Sequence, residues 1–396
     1  MHVSYFIILV FFISLIVASL MHQPVLHFAK KHNIYDNPEA RKLQRSPVPV
    51  MGGFVVFIGA MVGSLCYWFR TDCTSIIPVQ VAMFVMLIFG AWDDMKKLSP
   101  TLKLVVEIVV VVALIVVNDY PVNDLRGLWG VHVISPWIAW PLTIFGCVGI
   151  INAINMIDGI DGLSSGICIM AIGFFSWWFF ITEDFVRAAL GVAIVGGLIP
   201  FFVMNVFGRK SKMFIGDAGT LMLGIAICDM VMAMLTHDSP ETKRLIKPEF
   251  SRLAFALAVL AIPVFDTIRV MFGRISRGES PFTPDKTHLH HAFIDYGFHH
   301  LETSLMEIIL NTMIVMVFAM IYFSHLSMQW QLYGVIISSI AVCFGLYWML
   351  GRRKRFAKKI REKYGVNNIK EYENMTDEER SKLNLDNKPQ KIAHSE

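Results

Sequence analysis

The chain has little charge and little of what builds a soluble domain. Asp, Glu, Lys and Arg make up 17% of its 396 residues against 55% hydrophobic ones, too apolar a balance for an ordinary globule. Six cysteines are scattered, mostly within apolar runs, with no CxxC pair and no His spacing suited to zinc. Neither a disulfide framework nor a zinc centre is expected, and they read as small apolar residues. There is no Walker loop, no dinucleotide-binding glycine fingerprint and no internal repeat of the transporter kind. No basic region precedes the first apolar run and no small-residue cleavage site comes after it, so it reads as a retained span. A formal net charge of +4 gives no reason to expect a nucleic-acid partner.

What is present is a series of apolar runs of about 20 residues, the length that crosses a bilayer. They predict an all-α, polytopic membrane protein of about eleven helices, near 3–21, 52–69, 76–92, 101–118, 134–152, 163–181, 185–204, 218–236, 252–272, 303–324 and 329–350. Basic residues fall in alternate loops: Lys30, Lys31, Arg41, Lys42 and Arg45, then Lys96 and Lys97, then Arg209, Lys210 and Lys212, then Arg274, Arg277 and Lys286. The loop with Lys243, Arg244 and Lys247 is an exception. The positive-inside rule makes the basic set cytoplasmic, with the N-terminus outside and the C-terminus inside. Residues 1–350 are expected to form the membrane domain and 351–396 a tail. Eight Lys or Arg and one Glu lie between Arg352 and Lys363, an anchor attracted to anionic membrane lipids. The rest of the tail is polar.

The inner loops carry the chemistry. Asn152, Asn155, Asp158 and Asp161 recur every three positions in Asn152-Ala-Ile-Asn-Met-Ile-Asp-Gly-Ile-Asp-Gly-Leu163, a spacing that would turn two amides and two carboxylates towards one ligand. Asp93-Asp94 stands at the inner end of the third span. Adjacent carboxylates repel and need a metal, a lysine or a shared proton. They suit proton acceptance from a phosphate nucleophile or a divalent ion, unless they simply pair with Lys96 or Lys97. Asp217 lies between Gly216 and Gly219 where the eighth span opens, and helix N-termini receive phosphate well. Phe214 just before it suits either stacking on a flat base or apolar anchoring. Arg41, Lys42 and Arg45 suit phosphate contacts or serve as orientation charges. The last inner loop holds Arg274, Lys286, His288, His290 and His291. That histidine cluster suits a transition metal or a pyrophosphate, and the abundance of carboxylates favours phosphate contacts with Mg²⁺. Lys103 and Glu107, one helical turn apart, and Asp229 lie inside predicted spans, where ionisable groups are costly and usually functional.

Taken together, Asp36-x-Pro-x-x-Arg-Lys, Asp93-Asp94 with Leu98-Ser-Pro, the Asn152 to Leu163 stretch, Gly216-Asp-Ala-Gly-Thr and Ser280-Pro-Phe-x-Pro-Asp-x-x-His-x-His-His resemble the polyprenyl-phosphate N-acetylhexosamine-1-phosphate transferases of glycosyltransferase family 4. The similarity spans about residues 30–300 in the family's order. It is nearest the bacterial branch that uses UDP-GlcNAc and undecaprenyl phosphate. The resemblance implies a multi-pass enzyme of the bacterial inner membrane with its cleft on the cytoplasmic face. Undecaprenyl phosphate would attack the β-phosphate of UDP-GlcNAc or another UDP-N-acetylhexosamine and release UMP, with Mg²⁺, or Mn²⁺ in its place, as cofactor. By that resemblance Asp217 holds the metal, with Asn155 a second contact. Asp93 is the base towards the lipid phosphate and Asp94 its neighbour. Asp158 and Asp161 lie near the nucleoside, Phe214 stacks on uracil, and His290 and His291, with Arg274 and Lys286 nearby, steady the pyrophosphate. A homodimer is left open. Gln44 stands where many relatives have His and is not counted as catalytic; Thr220 replaces the commoner Ser and keeps a hydroxyl. The rival class is an ion-coupled transporter, which should carry its carboxylates near mid-membrane on broken helices.

Overall fold

The computed structural model describes residues 3–37, 46–119, 121–237, 239–281, 283 and 285–351, together with 375, 376, 378 and 379. Arg41, Lys42, Arg45 and nearly all of the tail lie outside the described residues. The helices are α1 (Val3–Lys31), α2 (Gly52–Trp68), α3 (Ile77–Lys96), α4 (Pro100–Asn118), α5 (Pro136–Met156), α6 (Leu163–Ile181), α7 (Phe185–Phe207), α8 (Gly216–Thr236), α9 (Pro240–Leu245), α10 (Arg252–Val259), α11 (Ala261–Ser276), α12 (Leu289–Tyr296), α13 (His300–Phe323) and α14 (Met328–Ile340). The only sheet among the described residues is two short antiparallel pairs, β1 (Tyr35–Asp36) with β2 (Val48–Pro49) and β3 (Asp124–Leu128) with β4 (Val131–Val133).

Every expected apolar run is helical, and the chain is an all-α multi-pass membrane protein. Nine helices among the described residues are long and apolar enough to span a bilayer, or ten if α10 and α11 count as one. That pair is where the expected continuous helix over 252–272 gives way to a 75° bend. α2 has only 17 residues, so the expected eleven is reached in helices but not in helices of spanning length.

α8 is the axis of the fold: 94% of its apolar window is buried. Small residues let its neighbours approach, as at membrane helix interfaces generally. A Cβ on Gly90 of α3 would lie 2.5 Å from Ala218 N, and one on Gly53 of α2 would lie 2.5 Å from Gly219 N. The far end of α8 is held by two arginines. Arg126 donates to Leu235 O at 3.0 and 2.9 Å, and Arg252 to Met234 O at 3.1 Å and His237 O at 3.0 Å. Cations there complement the helix dipole. Asp229 in the same half faces Arg187 Nε at 3.8 Å, whose Nη1 is 2.6 Å from Asp184. Its buried charge is paired, which explains an ionisable group inside a span.

Candidate active site

Three helix ends meet around one lysine. α3 closes at Lys97, whose φ is 50°, and Asp93 Oδ1 accepts Leu98 N at 2.7 Å across the turn. Ser99 then caps α4, accepting Leu102 N at 3.3 Å, with Pro100 in the first turn. This tight corner folds Lys103 back against α3. Its ammonium pairs with Asp93 Oδ2 and, at 2.8 Å, with Asp217 Oδ2 at the start of α8. The other Asp217 oxygen accepts Asn155 Nδ2 at 2.9 Å, and the same amide donates to Thr220 Oγ1 at 2.8 Å. Asp217 keeps 31% of its side chain exposed against 3% for Asp93, so the cluster opens to the outside through Asp217.

Asp94 has a different task from its neighbour. Its two carboxylate oxygens accept Asp217 N at 2.9 Å and Ala218 N at 3.1 Å, capping α8 from another helix. The expectation of a phosphate at this N-terminus is therefore corrected: a protein carboxylate already takes those two amides. Gly216 permits it. Its φ is +72°, and a Cβ there would lie 2.5 Å from Asp94 Oδ2.

The four residues spaced by three do not converge. α5 ends at Met156, so helical spacing carries only to Asn155, and each of the four faces its own partner. Asn152 Nδ2 donates to buried Glu107 Oε2 and to Val148 O. Asn155 serves Asp217. Asp158 accepts Ser164 Oγ. Solvent reaches it, yet protein crowds it, and this desolvation pushes its carboxyl up to about 7, with the charges of Asp217 and Asp161 adding to the push. Asp161 Oδ2 lies 2.6 Å from Lys212 Nζ and 3.0 Å from His300 Nδ1. Burial raises its pKa, but these two partners outweigh it and hold the carboxyl below its usual value. Lys212 Nζ also stands 5.5 Å from the Phe214 ring centroid. Phe214 itself is fixed by its backbone, accepting Gly52 N at 2.8 Å and donating to Pro49 O at 2.9 Å. The first and fourth inner loops are thereby stitched together.

The histidine loop reaches the same cleft from the other side. His290 packs on Gly159, where any Cβ would collide with its Nε2. Its ring stacks on His288 at 5.5 Å and 10° and meets His291 at 4.5 Å. Burial, reinforced by neighbouring cationic charge, holds His290 well below the ordinary histidine pKa and His291 at about 4, so both are neutral donors and acceptors at pH 7. Two residues of this loop depart from their expected roles because they are engaged within the protein. His288 Nδ1 is 2.8 Å from buried Asp266 Oδ2. Arg274 is spent on its own loop, donating to Pro281 O at 2.6 Å and Asp285 Oδ1 at 3.0 Å. Lys286 is exposed.

The structure thus brings together Asp93, Asp217 and Asn155, with Asp94 behind them, and places Asp158, Asp161 and His290 along the adjoining wall. Sequence reasoning passed over Lys212, His300 and Asp266 as site residues. It flagged Lys103 and Glu107 without a role, and no ion pair between the two is formed. Only their placement inside an apolar run signalled them.

Residues 76–235 match the family model described as glycosyl transferase family 4. The matched segment runs from α3 to the last turn of α8 and contains the whole lysine–carboxylate cluster. The chain is 29% identical over 360 residues to the undecaprenyl-phosphate alpha-N-acetylglucosaminyl 1-phosphate transferase of Salmonella typhi, covering 85% of this chain and 89% of that protein. It is 28% identical over 354 residues to the protein of the same name from Escherichia coli strain K12, with 85% and 91% covered. It is 27% identical over 298 residues to the probable undecaprenyl-phosphate N-acetylglucosaminyl 1-phosphate transferase of Bacillus subtilis, with 74% and 79% covered.

Proposed function

We propose that this enzyme transfers N-acetylglucosamine-1-phosphate from UDP-GlcNAc to undecaprenyl phosphate at the cytoplasmic face of a bacterial inner membrane, starting a lipid-linked envelope polysaccharide. A phosphate oxygen of the lipid attacks the β-phosphorus of the donor. The bond to the bridging oxygen breaks, and UMP leaves with the electron pair. The observation that carries this reading is Lys103 held between Asp93 and Asp217 at the meeting of three helix ends, a charge-dense cleft at the edge of the membrane domain. Phosphoryl transfer asks mainly for positioning and charge neutralisation, and the two carboxylates of this cluster lie at helix ends, unlike the mid-membrane acids of a transporter.

Asp93 accepts a proton from the lipid phosphate, and Lys103 faces the incoming anion. Asp94 acts by fixing the start of α8, and Asn155 by orienting Asp217. Asp158, Asp161 and Phe214, with Lys212, form the nucleoside side; neutral His290 and His291 face the diphosphate, and Lys286 is a further cation for it. His288 and Arg274 act by holding that loop, and Arg41, Lys42 and Arg45 are assigned to phosphate contacts. Mg²⁺, or Mn²⁺ in its place, would be held by Asp217, a hard oxygen donor that keeps 31% of its side chain exposed, with Asn155 beside it as the second contact. Mg²⁺ takes one or two protein carboxylates together with substrate phosphates, which Asp217 and the donor diphosphate would supply. When bound it supplies charge neutralisation to the diphosphate.

In this reading the N-terminus lies outside, residues 1–350 form the transferase domain, and residues 351–396 form a cytoplasmic tail that meets anionic lipid. The test of function is a radiolabelled-sugar assay on purified protein with undecaprenyl phosphate, Mg²⁺ and a panel of UDP-N-acetylhexosamines. Transfer preferring UDP-GlcNAc supports the assignment; preference for another donor reassigns the sugar.

A further inference from the structure

The last span belongs to none of the sequence motifs, yet it touches Arg269 of α11, which bonds the histidine loop. Beyond α14 the chain winds as a π-helix over Ala341–Leu346. One extra residue per turn rotates the succeeding residues by about 100° relative to an α-helix. Trp348 and Met349 emerge 53% and 57% exposed, whereas the Tyr347 ring lies over the buried guanidinium of Arg269, 3.6 Å from Cζ to centroid. A flat ring on a guanidinium is an attractive contact and restrains both groups.

Arg269 is the joint of the histidine loop. Its Nη2 donates to Thr287 O at 2.6 Å, and Nη2 and Nε donate to Asp266 Oδ1 at 2.7 and 3.1 Å. Asp266 in turn accepts Leu289 N at 3.2 Å and faces His288 Nδ1 at 2.8 Å. Residues 287, 288 and 289, the entry to α12, are thus tied to Asp266 and Arg269. His290 stacks on His288 and presses on Gly159. With Tyr347 removed, Arg269 keeps its charge but loses the face that fixes its plane.

We infer that Tyr347 is a positioning residue for the transfer reaction: through Arg269 it holds the His288–His291 turn against the Asp158–Asp161 loop. The inference rests on the transferase reading only for its kinetic consequence. The structural consequence is independent of activity.

The experiment compares wild type with Tyr347→Leu and Tyr347→Phe, measuring diethyl pyrocarbonate modification of His290 and His291 by mass spectrometry alongside transferase kinetics. Tyr347→Leu should be modified several-fold faster and should lose roughly tenfold in kcat with KM for the donor within about twofold. Tyr347→Phe, which keeps the ring, should match wild type in both. If Tyr347→Leu does not fold, Arg269→Lys replaces it. Lysine keeps the charge but cannot fork to Asp266 and Thr287, and it should speed modification in the same way. Unchanged histidine reactivity in Tyr347→Leu or Arg269→Lys overturns the inference, as does a Tyr347→Phe variant as impaired as Tyr347→Leu. If wild type transfers no sugar with any donor, the proposed function fails, while the modification arm still decides the role of Tyr347.

Discussion

Lys103 Nζ lies 2.8 Å from Asp217 Oδ2 although 114 positions separate the two in sequence, and the same ammonium pairs with Asp93. A partly buried cation shared by two carboxylates from different helices ties the α3–α4 corner to the start of α8. Each carboxylate would be costly to keep charged alone. The lysine therefore has a structural role before any substrate arrives, and it occupies the place where a divalent ion would be drawn.

Replacing that cation should separate the two roles. Lys103→Gln should lower the melting temperature in metal-free buffer, since two close carboxylates then face each other. Added Mg²⁺ should restore more of the stability than it adds to wild type. Differential scanning fluorimetry with and without Mg²⁺ reads both effects.

Asp94 should behave as a helix cap. Asp94→Ala should cost about 1–2 kcal/mol of stability through loss of the bonds to Asp217 N and Ala218 N. Asp94→Asn, which keeps one acceptor oxygen, should cost less. If kcat falls in parallel with stability across the two variants, Asp94 acts by placing Asp217. An inactive but fully stable Asp94→Asn would make it a direct participant.

Glu107 is buried, and Asn152 Nδ2 donates a hydrogen bond to its Oε2. Asn152→Leu leaves the glutamate without that donor and should cost about 1–3 kcal/mol. Glu107→Gln combined with Asn152→Leu should recover part of it, a coupling measured by a double-mutant cycle in chemical or thermal unfolding.

His291 sets a pH dependence. Its native pKa of about 4 lies below the free value of about 6.5, so between those pH values the unfolded chain binds the extra proton and stability rises with pH. Acidification from pH 7 to 5 should therefore lower the melting temperature through His291, and His291→Gln should flatten that fall. Asp158, with its raised pKa, acts in the opposite sense, so the informative quantity is variant against wild type at each pH.

Much of this fold is legible in composition alone, because a bilayer-crossing helix announces itself by length and hydropathy. The break at Leu260 is signalled only by Pro263, which the apolar pattern of Arg252–Ser276 hides: the proline has no N–H for Val259 O, Asn311 Nδ2 donates to that carbonyl at 2.9 Å instead, and the chain bends by 75°. In the site, Asp93, Asp217 and Asn155 stand out as polar residues at the ends of apolar helices, and the structure gathers them. The three-residue spacing of Asn152 to Asp161 misleads because the helix stops at Met156. Arg274 and His288 look like ligand contacts in a chain otherwise short of charge, whereas Asp285 and Asp266 take them. Pairing between distant residues such as Lys212 and Asp161 leaves no local pattern to read.

The nucleotide product tests the central claim most directly. Purified protein with undecaprenyl phosphate, UDP-GlcNAc and Mg²⁺ should release UMP in a one-to-one ratio with lipid-linked sugar, and Asp217→Asn should lose this by about a thousandfold, the scale of removing a main electrostatic group. Release of UDP instead of UMP would mean that the sugar leaves without its phosphate. That result, or full activity in Asp217→Asn, would contradict phosphosugar transfer at the Asp93–Lys103–Asp217 cluster.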